Sequence, residues 1–289
     1  MAGLVVLEKM VMLVLLMLVG FLAAKGKWVD ESFGQKASFL VANVFIVATI
    51  LASVVGMEPL FSGRELVVSV VAVFILFAIG GVLGWICAKL LPLSPGDRTA
   101  AWLSVFFMNN VFIGFPVVEA LFGQNAVFCA ALTGLPFNLL LFSMGVSRLR
   151  AGQGRGRVRL REVFSPALIA TLVSIVFFLG QIPFPQLVAD TVQTLGGATV
   201  PLSMLIIGIS LSQVPIREAL TDWRAYVVSL VRLILCPLVV WGVLRLFVSG
   251  TVLGVLTVIA ACPSGAMITI LSLRYGVDET FATRVNFVS

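Results

Sequence analysis

The chain has 289 residues, of which 60% are hydrophobic and 11% are charged, and its formal net charge is +6. Soluble domains do not carry so large an apolar fraction, and recurring runs of about 18 or more apolar residues predict transmembrane helices. The sequence contains no histidine, so the commonest metal ligand and the commonest proton shuttle are missing. We therefore expect no metal site, no cofactor and no enzymatic activity. The cysteines fall within the apolar runs without the spacing of a metal site, and we interpret them as small packing residues: Cys87, Cys129, Cys236 and Cys262.

Ten membrane spans are predicted in chain order, separated by short connections that contain glycine and proline. The tenth span would need about ten residues beyond Ser289 to cross a bilayer of roughly 30 Å, so we expect the chain to lack most of that helix. The predicted spans are residues 4–24, 36–56, 66–91, 99–123, 125–147, 164–182, 198–213, 224–248 and 251–273, followed by the start of a tenth near residue 279.

The basic loop at residues 148–162 divides the chain into two similar halves, residues 1–147 and 163–289. Helical segments of the second half begin roughly 150 to 160 residues after their counterparts in the first half. Because each half holds an odd number of spans, the two halves enter the membrane in opposite orientations. The predicted fold is therefore an all-α integral membrane protein made of two inverted five-helix repeats.

Most lysine and arginine residues fall on the same side of the membrane as the loop at residues 148–162. By the positive-inside rule this side is cytoplasmic, and the N-terminus is then outside. We expect a multi-pass protein of the cytoplasmic (inner) membrane. The basic loop is interpreted as a contact with anionic lipid of the bilayer, and no nucleic acid partner is expected.

Two short stretches interrupt the fourth and ninth spans at corresponding places of the two halves: residues 109–116 and residues 262–265. An interrupted span leaves backbone polar groups unpaired at membrane depth, which is costly unless they line a site. Such a pair of breaks is the best sequence indication of a transporter binding site. We expect Pro116 and Pro263 to begin the second half-helices, because proline suits the first helical position, and Gly114 to supply an unwound link with its freedom of φ.

The N-termini of both half-helices should meet at mid-membrane, where their partial positive charges favour an anion such as a carboxylate. The amides of Asn109 and Asn110, which we expect to close the first half-helix, can bind that carboxylate or satisfy carbonyls left at the break. Ser264 is open to the same two interpretations, and Gly265 offers bare backbone. The candidate substrate-binding residues are Asn109, Asn110, Gly114, Pro116, Pro263, Ser264 and Gly265.

Two charged residues within predicted spans are candidates for coupling or gating, Glu119 and Arg232. A charge inside the membrane is expensive and indicates function by default. Glu119 can carry a proton, pair with an arginine, or lie near the outer mouth. Arg232 can extend its head to the inner lipid headgroups or attract a substrate anion, and Arg245 is expected to reach the outer headgroups.

Several stretches are specific in their order and spacing along the chain. They are Asn-x4-Gly-x-Pro from Asn109 to Pro116, Ala120-Leu121-Phe122-Gly123, Gly197 to Ser203 with Gly208, Ala261 to Ala266, and Arg274-Tyr275-Gly276. With these stretches the sequence resembles the auxin efflux carrier family, including its bacterial malate or malonate permeases. The resemblance covers essentially the whole chain.

This resemblance implies a ten-span transporter fold in which the broken fourth and ninth spans cross. Spans 1, 2, 6 and 7 would form a scaffold, and spans 3–5 and 8–10 a moving transport domain. Asn109 matches the family asparagine that meets the substrate carboxylate, and Pro116 and Pro263 match the crossover prolines. The sequence departs from many members at Val47, where they have proline, and at Met267, where they have Asn, Ser or Thr.

The function expected from these observations is a secondary active transporter that moves a small organic anion by alternating access. A channel or a ligand-sensing membrane protein on the same fold is the alternative. Besides the bilayer and the anion, the expected partners are a coupling proton or sodium ion and a second copy of the chain in a homodimer.

Overall fold

The computed structural model describes residues 2–56, 63–145, 164–213, 221–265, 268–269 and 280–289. Regular structure in these ranges is helical, which confirms the predicted all-α membrane-spanning fold. Five of the described helical segments are long and apolar enough to cross a membrane: Leu4–Lys25, Ser32–Ala52, Glu65–Leu90, Gln186–Gln213 and Trp223–Leu244. The arrangement as inverted repeats stays a prediction.

The α-helices are numbered in chain order. They are α1 (Ala2–Lys25), α2 (Glu31–Leu40), α3 (Ile46–Ala52), α4 (Gly63–Leu90), α5 (Pro95–Phe106), α6 (Phe115–Phe122), α7 (Ala126–Ala131), α8 (Gly134–Leu140), α9 (Pro166–Gly180), α10 (Gln186–Gly197), α11 (Thr199–Gln213), α12 (Trp223–Leu230), α13 (Cys236–Leu244), α14 (Gly250–Ala260) and α15 (Thr280–Val288).

The start of the seventh span was predicted too late, at residue 198. The helical segment runs from Gln186 to Gln213, with α10 and α11 meeting at Ala198. Its first turns carry polar side chains that read as a loop in the sequence. They pair locally instead, since the Gln186 amide donates to the Asp190 carboxylate over 2.8 Å.

Widened helical turns precede prolines in two spans. Asn110–Gly114 and Val231–Leu235 are π-helical, and each is followed two residues later by proline, Pro116 and Pro237. Proline lacks an N–H and its ring crowds the carbonyl of the preceding turn, so a wider turn accommodates it inside a helix. Val41–Phe45 is also π-helical, with Val47 at the same spacing, so the wide turn forms here without a proline.

The described chain clusters into two compact units. The first unit is Met1–Leu66, Val111–Leu132 and Pro166–Val214. In it α1 packs along α11, and α3 meets the start of α11 through a 2.6 Å hydrogen bond between the hydroxyls of Thr49 and Thr199.

The second unit is Val67–Asn110, Thr133–Ser165 and Pro215–Ser289. Here α4 packs on α5, where the Trp102 indole donates to the Gly81 carbonyl over 3.0 Å. In the same unit α15 packs on α5 and α12, and α13 packs on α14. Each unit thus draws helices from both halves of the sequence.

Candidate functional site

The two helix breaks lie side by side and are joined by their main chains. The Asn109 N–H donates to the Pro263 carbonyl over 2.9 Å, and the Gly265 N–H donates to the Phe107 carbonyl over 3.0 Å. Met108 and Ser264 face each other in this antiparallel bridge. We call residues 107–109 and 263–265 the crossover. All of them belong to the second unit.

This pairing explains how the breaks are tolerated in an apolar surrounding. A backbone N–H or carbonyl that stays unpaired at membrane depth costs roughly several kcal/mol, as any buried polar group without a partner does. The bridge satisfies two donors and two acceptors at once. It also means that the Asn109 and Gly265 N–H groups are engaged with the opposite break and do not point freely at an anion.

The first half-helix ends earlier than predicted. Its last helical residue is Phe106, and Phe107 is extended, with φ −108° and ψ 117°. The next helical turn begins at Asn110, so the prediction that the second half-helix begins at Pro116 is wrong. Gly114 is helical, with φ −61° and ψ −51°, and does not form an unwound link. The prediction failed because the wide π-helical turn at Asn110–Gly114 lets Pro116 lie inside a helix instead of at its start.

The second break also differs from its prediction. Helix α14 ends at Ala260, and Pro263 to Gly265 are not helical. Pro263 therefore does not begin a half-helix, because Pro263, Ser264 and Gly265 take part in the bridge. Gly265 suits this close approach, since a Cβ there would lie 3.3 Å from the Met108 carbonyl oxygen. Met267 and residues 274–276 lie outside the described residues.

The two asparagines at the first break have different surroundings. The Asn110 side chain is 2% exposed, and its amide donates to the Thr133 hydroxyl over 3.0 Å. This hydrogen bond fixes the start of the helical turn to the segment between α7 and α8. Asn109 lies in the crossover itself and is half-buried.

Ser264 is the buried polar side chain of the second break. It is 1% exposed, and its N–H donates to the Ser289 hydroxyl over 3.1 Å. Its own hydroxyl has no hydrogen-bond partner within the described residues. A buried hydroxyl left unpaired costs about 1–3 kcal/mol, so a polar group that reaches Ser264 gains this energy.

Arg232 lies beside the crossover and is completely buried. Its Nε donates to the Cys262 carbonyl over 3.0 Å, and its Nη1 donates to the Val105 carbonyl over 2.9 Å. The Val105 carbonyl lies in the last turn of α5, and the Cys262 carbonyl lies two residues after the end of α14, at the start of the second break. The head group is held inside the protein, so the interpretation in which it extends to the lipid headgroups is wrong.

Glu119 lies in α6, a helix of the first unit. It is half-buried, and its Oε2 atom is buried without a hydrogen-bond partner within the described residues. In the same part of the chain it forms no ion pair. Of its three interpretations, pairing with an arginine therefore gains no support.

Sequence reasoning missed the two partners of Arg232 and the link from Asn110 to Thr133. The sequence did indicate that Arg232 has a partner, because an arginine in the middle of an apolar span needs one. Nothing in the residue types indicated which carbonyls it would meet. The four cysteines are buried, as expected for packing residues.

Comparison with known proteins matches nearly the whole chain. The model of a family described as membrane transport protein matches residues 5–149 and 155–289. An uncharacterized transporter of Methanothermobacter thermautotrophicus is 26% identical over 286 residues, covering 98% of this chain and 93% of that protein. An uncharacterized transporter of Methanocaldococcus jannaschii is 25% identical over 282 residues, covering 94% and 90% respectively. The crossover therefore lies in a membrane transporter, and the chain belongs to the membrane transport protein family, the auxin efflux carrier family.

Proposed function

We propose that the chain is a secondary active transporter that carries a small organic anion, with a carboxylate, across the cytoplasmic membrane by alternating access. The single observation that supports this most is the crossover, where two broken helices meet and the buried Ser264 hydroxyl lacks a partner among the described residues. Asn109 is half-buried at the same place, and its amide can donate to a carboxylate. The helical turn that begins at Asn110 adds the partial positive charge of a helix N-terminus.

Asn109 and Ser264 are the side chains proposed to bind the carboxylate. The contribution of Pro263 and Gly265 is to keep the two backbones close, since they form the bridge. Pro116 and Gly114 act indirectly, through the helical turn that follows Asn110. Asn110 is proposed to support the site through Thr133.

The test is uptake into proteoliposomes that contain the purified chain. Labelled malate, malonate, indole acetate and branched keto acids are compared, and we expect saturable uptake of at least one of them. Asn109→Ala should weaken its apparent affinity about 10- to 150-fold, the equivalent of one hydrogen bond to a charged group of about 1.5–3 kcal/mol.

Asn43→Ala is the matched control, because the Asn43 amide donates to the Phe39 carbonyl within its own helix. This variant should transport like the parent chain. Unchanged uptake by Asn109→Ala would remove Asn109 from the site. A flux that does not saturate and follows only the membrane potential would indicate a channel instead of a carrier.

A further inference from the structure

The guanidinium of Arg232 lies where the C-terminal ends of two helices come together. It donates to the Val105 carbonyl, in the last turn of α5, and to the Cys262 carbonyl, two residues after α14 ends. The carbonyls at a helix C-terminus have no partner within the helix. Arg232 therefore caps the last turn of α5 and also donates to a carbonyl of the second break, just beyond the end of α14.

These helix ends offset the charge of Arg232 through its Nε and Nη1 atoms, while its Nη2 atom is buried without a hydrogen-bond partner within the described residues. In the part of the chain that the structure describes, no carboxylate forms an ion pair with it, although it is completely buried. A helix C-terminus carries about −0.5 of an elementary charge. Two such ends give about −1, which offsets one guanidinium. A buried cation without any such compensation would cost several kcal/mol, by the usual order-of-magnitude estimate.

We propose that Arg232 occupies the position of a coupling cation, so that the transport cycle needs no sodium or other free monovalent cation at the crossover. Two helix C-termini that meet in a membrane are a favourable place for a cation, and in this chain a side chain fills it. An additional cation would bring the local charge above balance. This inference rests on the proposed function for its transport arm, while its stability arm is independent of transport.

The first experiment uses the parent chain. Saturable uptake is measured with sodium chloride, potassium chloride or choline chloride outside the proteoliposomes. We expect equal rates in the three salts. A saturable requirement for sodium would overturn the inference. If no anion is taken up in a saturable way in any salt, the proposed function fails, and the following measurements still test Arg232.

The second experiment measures the melting temperature of Arg232→Ala in detergent without substrate. We expect it to melt well below the parent chain, and millimolar guanidinium chloride to restore much of the loss. Urea, a neutral molecule of the same shape, should restore nothing at the same concentration. Arg245→Ala is the matched control, since Arg245 ends the same span, is exposed, and stacks on Trp241 at 4.5 Å. It should melt like the parent chain in every solution.

The outcomes distinguish three roles of Arg232: supplying a charge, filling a void, and binding substrate. Equal recovery with urea would mean that Arg232 fills a void, and an unchanged melting temperature of Arg232→Ala would mean that it serves only a bound substrate. Either result would overturn the inference. If Arg232→Ala does not accumulate, Arg232→Lys and Arg232→Gln replace it, and the charged lysine variant should melt above the glutamine variant. The reverse order would contradict the proposal.

Discussion

The crossing of α1 and α11 depends on two glycines, and alanine at Gly208 should force the helices apart. A Cβ on Gly208 would overlap the backbone carbonyl of Met17 in α1, and a Cβ on Gly20 would overlap the carbonyl of Leu205 in α11. Backbone atoms cannot move away by a change of rotamer. The substitution must therefore separate the two helices, as expected where small residues let membrane helices approach closely.

The expected loss of stability is that of overpacking at this crossing, because α1 buries few large side chains elsewhere. Leu13 is buried, at 3% exposure, whereas Leu18 and Leu22 are 47% and 57% exposed. Overpacking of this kind costs about 1–3 kcal/mol. At about 2–4 °C per kcal/mol, the melting temperature should fall by roughly 2–12 °C. The double variant Gly20→Ala/Gly208→Ala should lose less than the sum of the two single losses, because the first alanine already opens the gap that the second requires.

The assay is thermal unfolding of purified variants in detergent, followed by intrinsic fluorescence. Gly242→Ala is the control, because a Cβ at Gly242 meets no atom within 4 Å. This variant should melt at or slightly above the temperature of the parent chain, since alanine favours a helix by up to about 1 kcal/mol. If Gly208→Ala melts like Gly242→Ala, or if the two single losses simply add, the reasoning about the crossing is refuted.

Two further predictions concern the second unit. Asn110→Ala removes the buried hydrogen bond that joins the Asn110 amide to the Thr133 hydroxyl and should cost about 0.5–1.5 kcal/mol in thermal unfolding. Asn138→Ala removes a bond from an amide to the Gly134 carbonyl of the same helix and should cost less, and the reverse order would refute the reasoning. The hydrogen bond and charge of Arg224 hold the pKa of Asp222 below its usual range. Asp222→Asn keeps a capping side chain but loses this pairing, so it should be less stable than the parent chain at neutral pH. The difference should shrink as the pH falls below about 4, where the unfolded parent carboxylate takes up a proton, and it should be lost once the pH is below the lowered pKa of the folded carboxylate. Melting curves between about pH 3 and 7 check this, and a difference that does not change with pH would contradict it.

Much of the fold could be predicted from the sequence because apolar runs in a membrane have few alternatives. That the two spans break near Asn109 and near Pro263 was also predictable, since these residues stand out in apolar surroundings. The helix boundaries at the breaks were not. Whether Pro116 begins a helix or lies inside one depends on a π turn of backbone geometry, and no residue type in Asn110–Gly114 marks it.

The contacts that join distant segments of the chain were even harder to predict from the sequence. The partners of Arg232 are backbone carbonyls, and every residue carries one, so neither Val105 nor Cys262 could be singled out by its side chain. Asn110 and Thr133 are ordinary polar residues separated by 23 positions. Propensity and periodicity act over short windows, whereas these contacts follow from how the helices of the second unit pack.

The main-chain bridge between the two halves has a consequence for how the protein varies among its relatives. Its hydrogen bonds run from the Asn109 N–H to the Pro263 carbonyl and from the Gly265 N–H to the Phe107 carbonyl. Because they join main-chain atoms, these hydrogen bonds themselves require only that the residues at positions 109 and 265 are not proline. Paired substitutions between the halves are therefore not needed to keep them. The junction that brings the two broken helices together can be inherited unchanged while the side chains around it diverge to fit different cargoes.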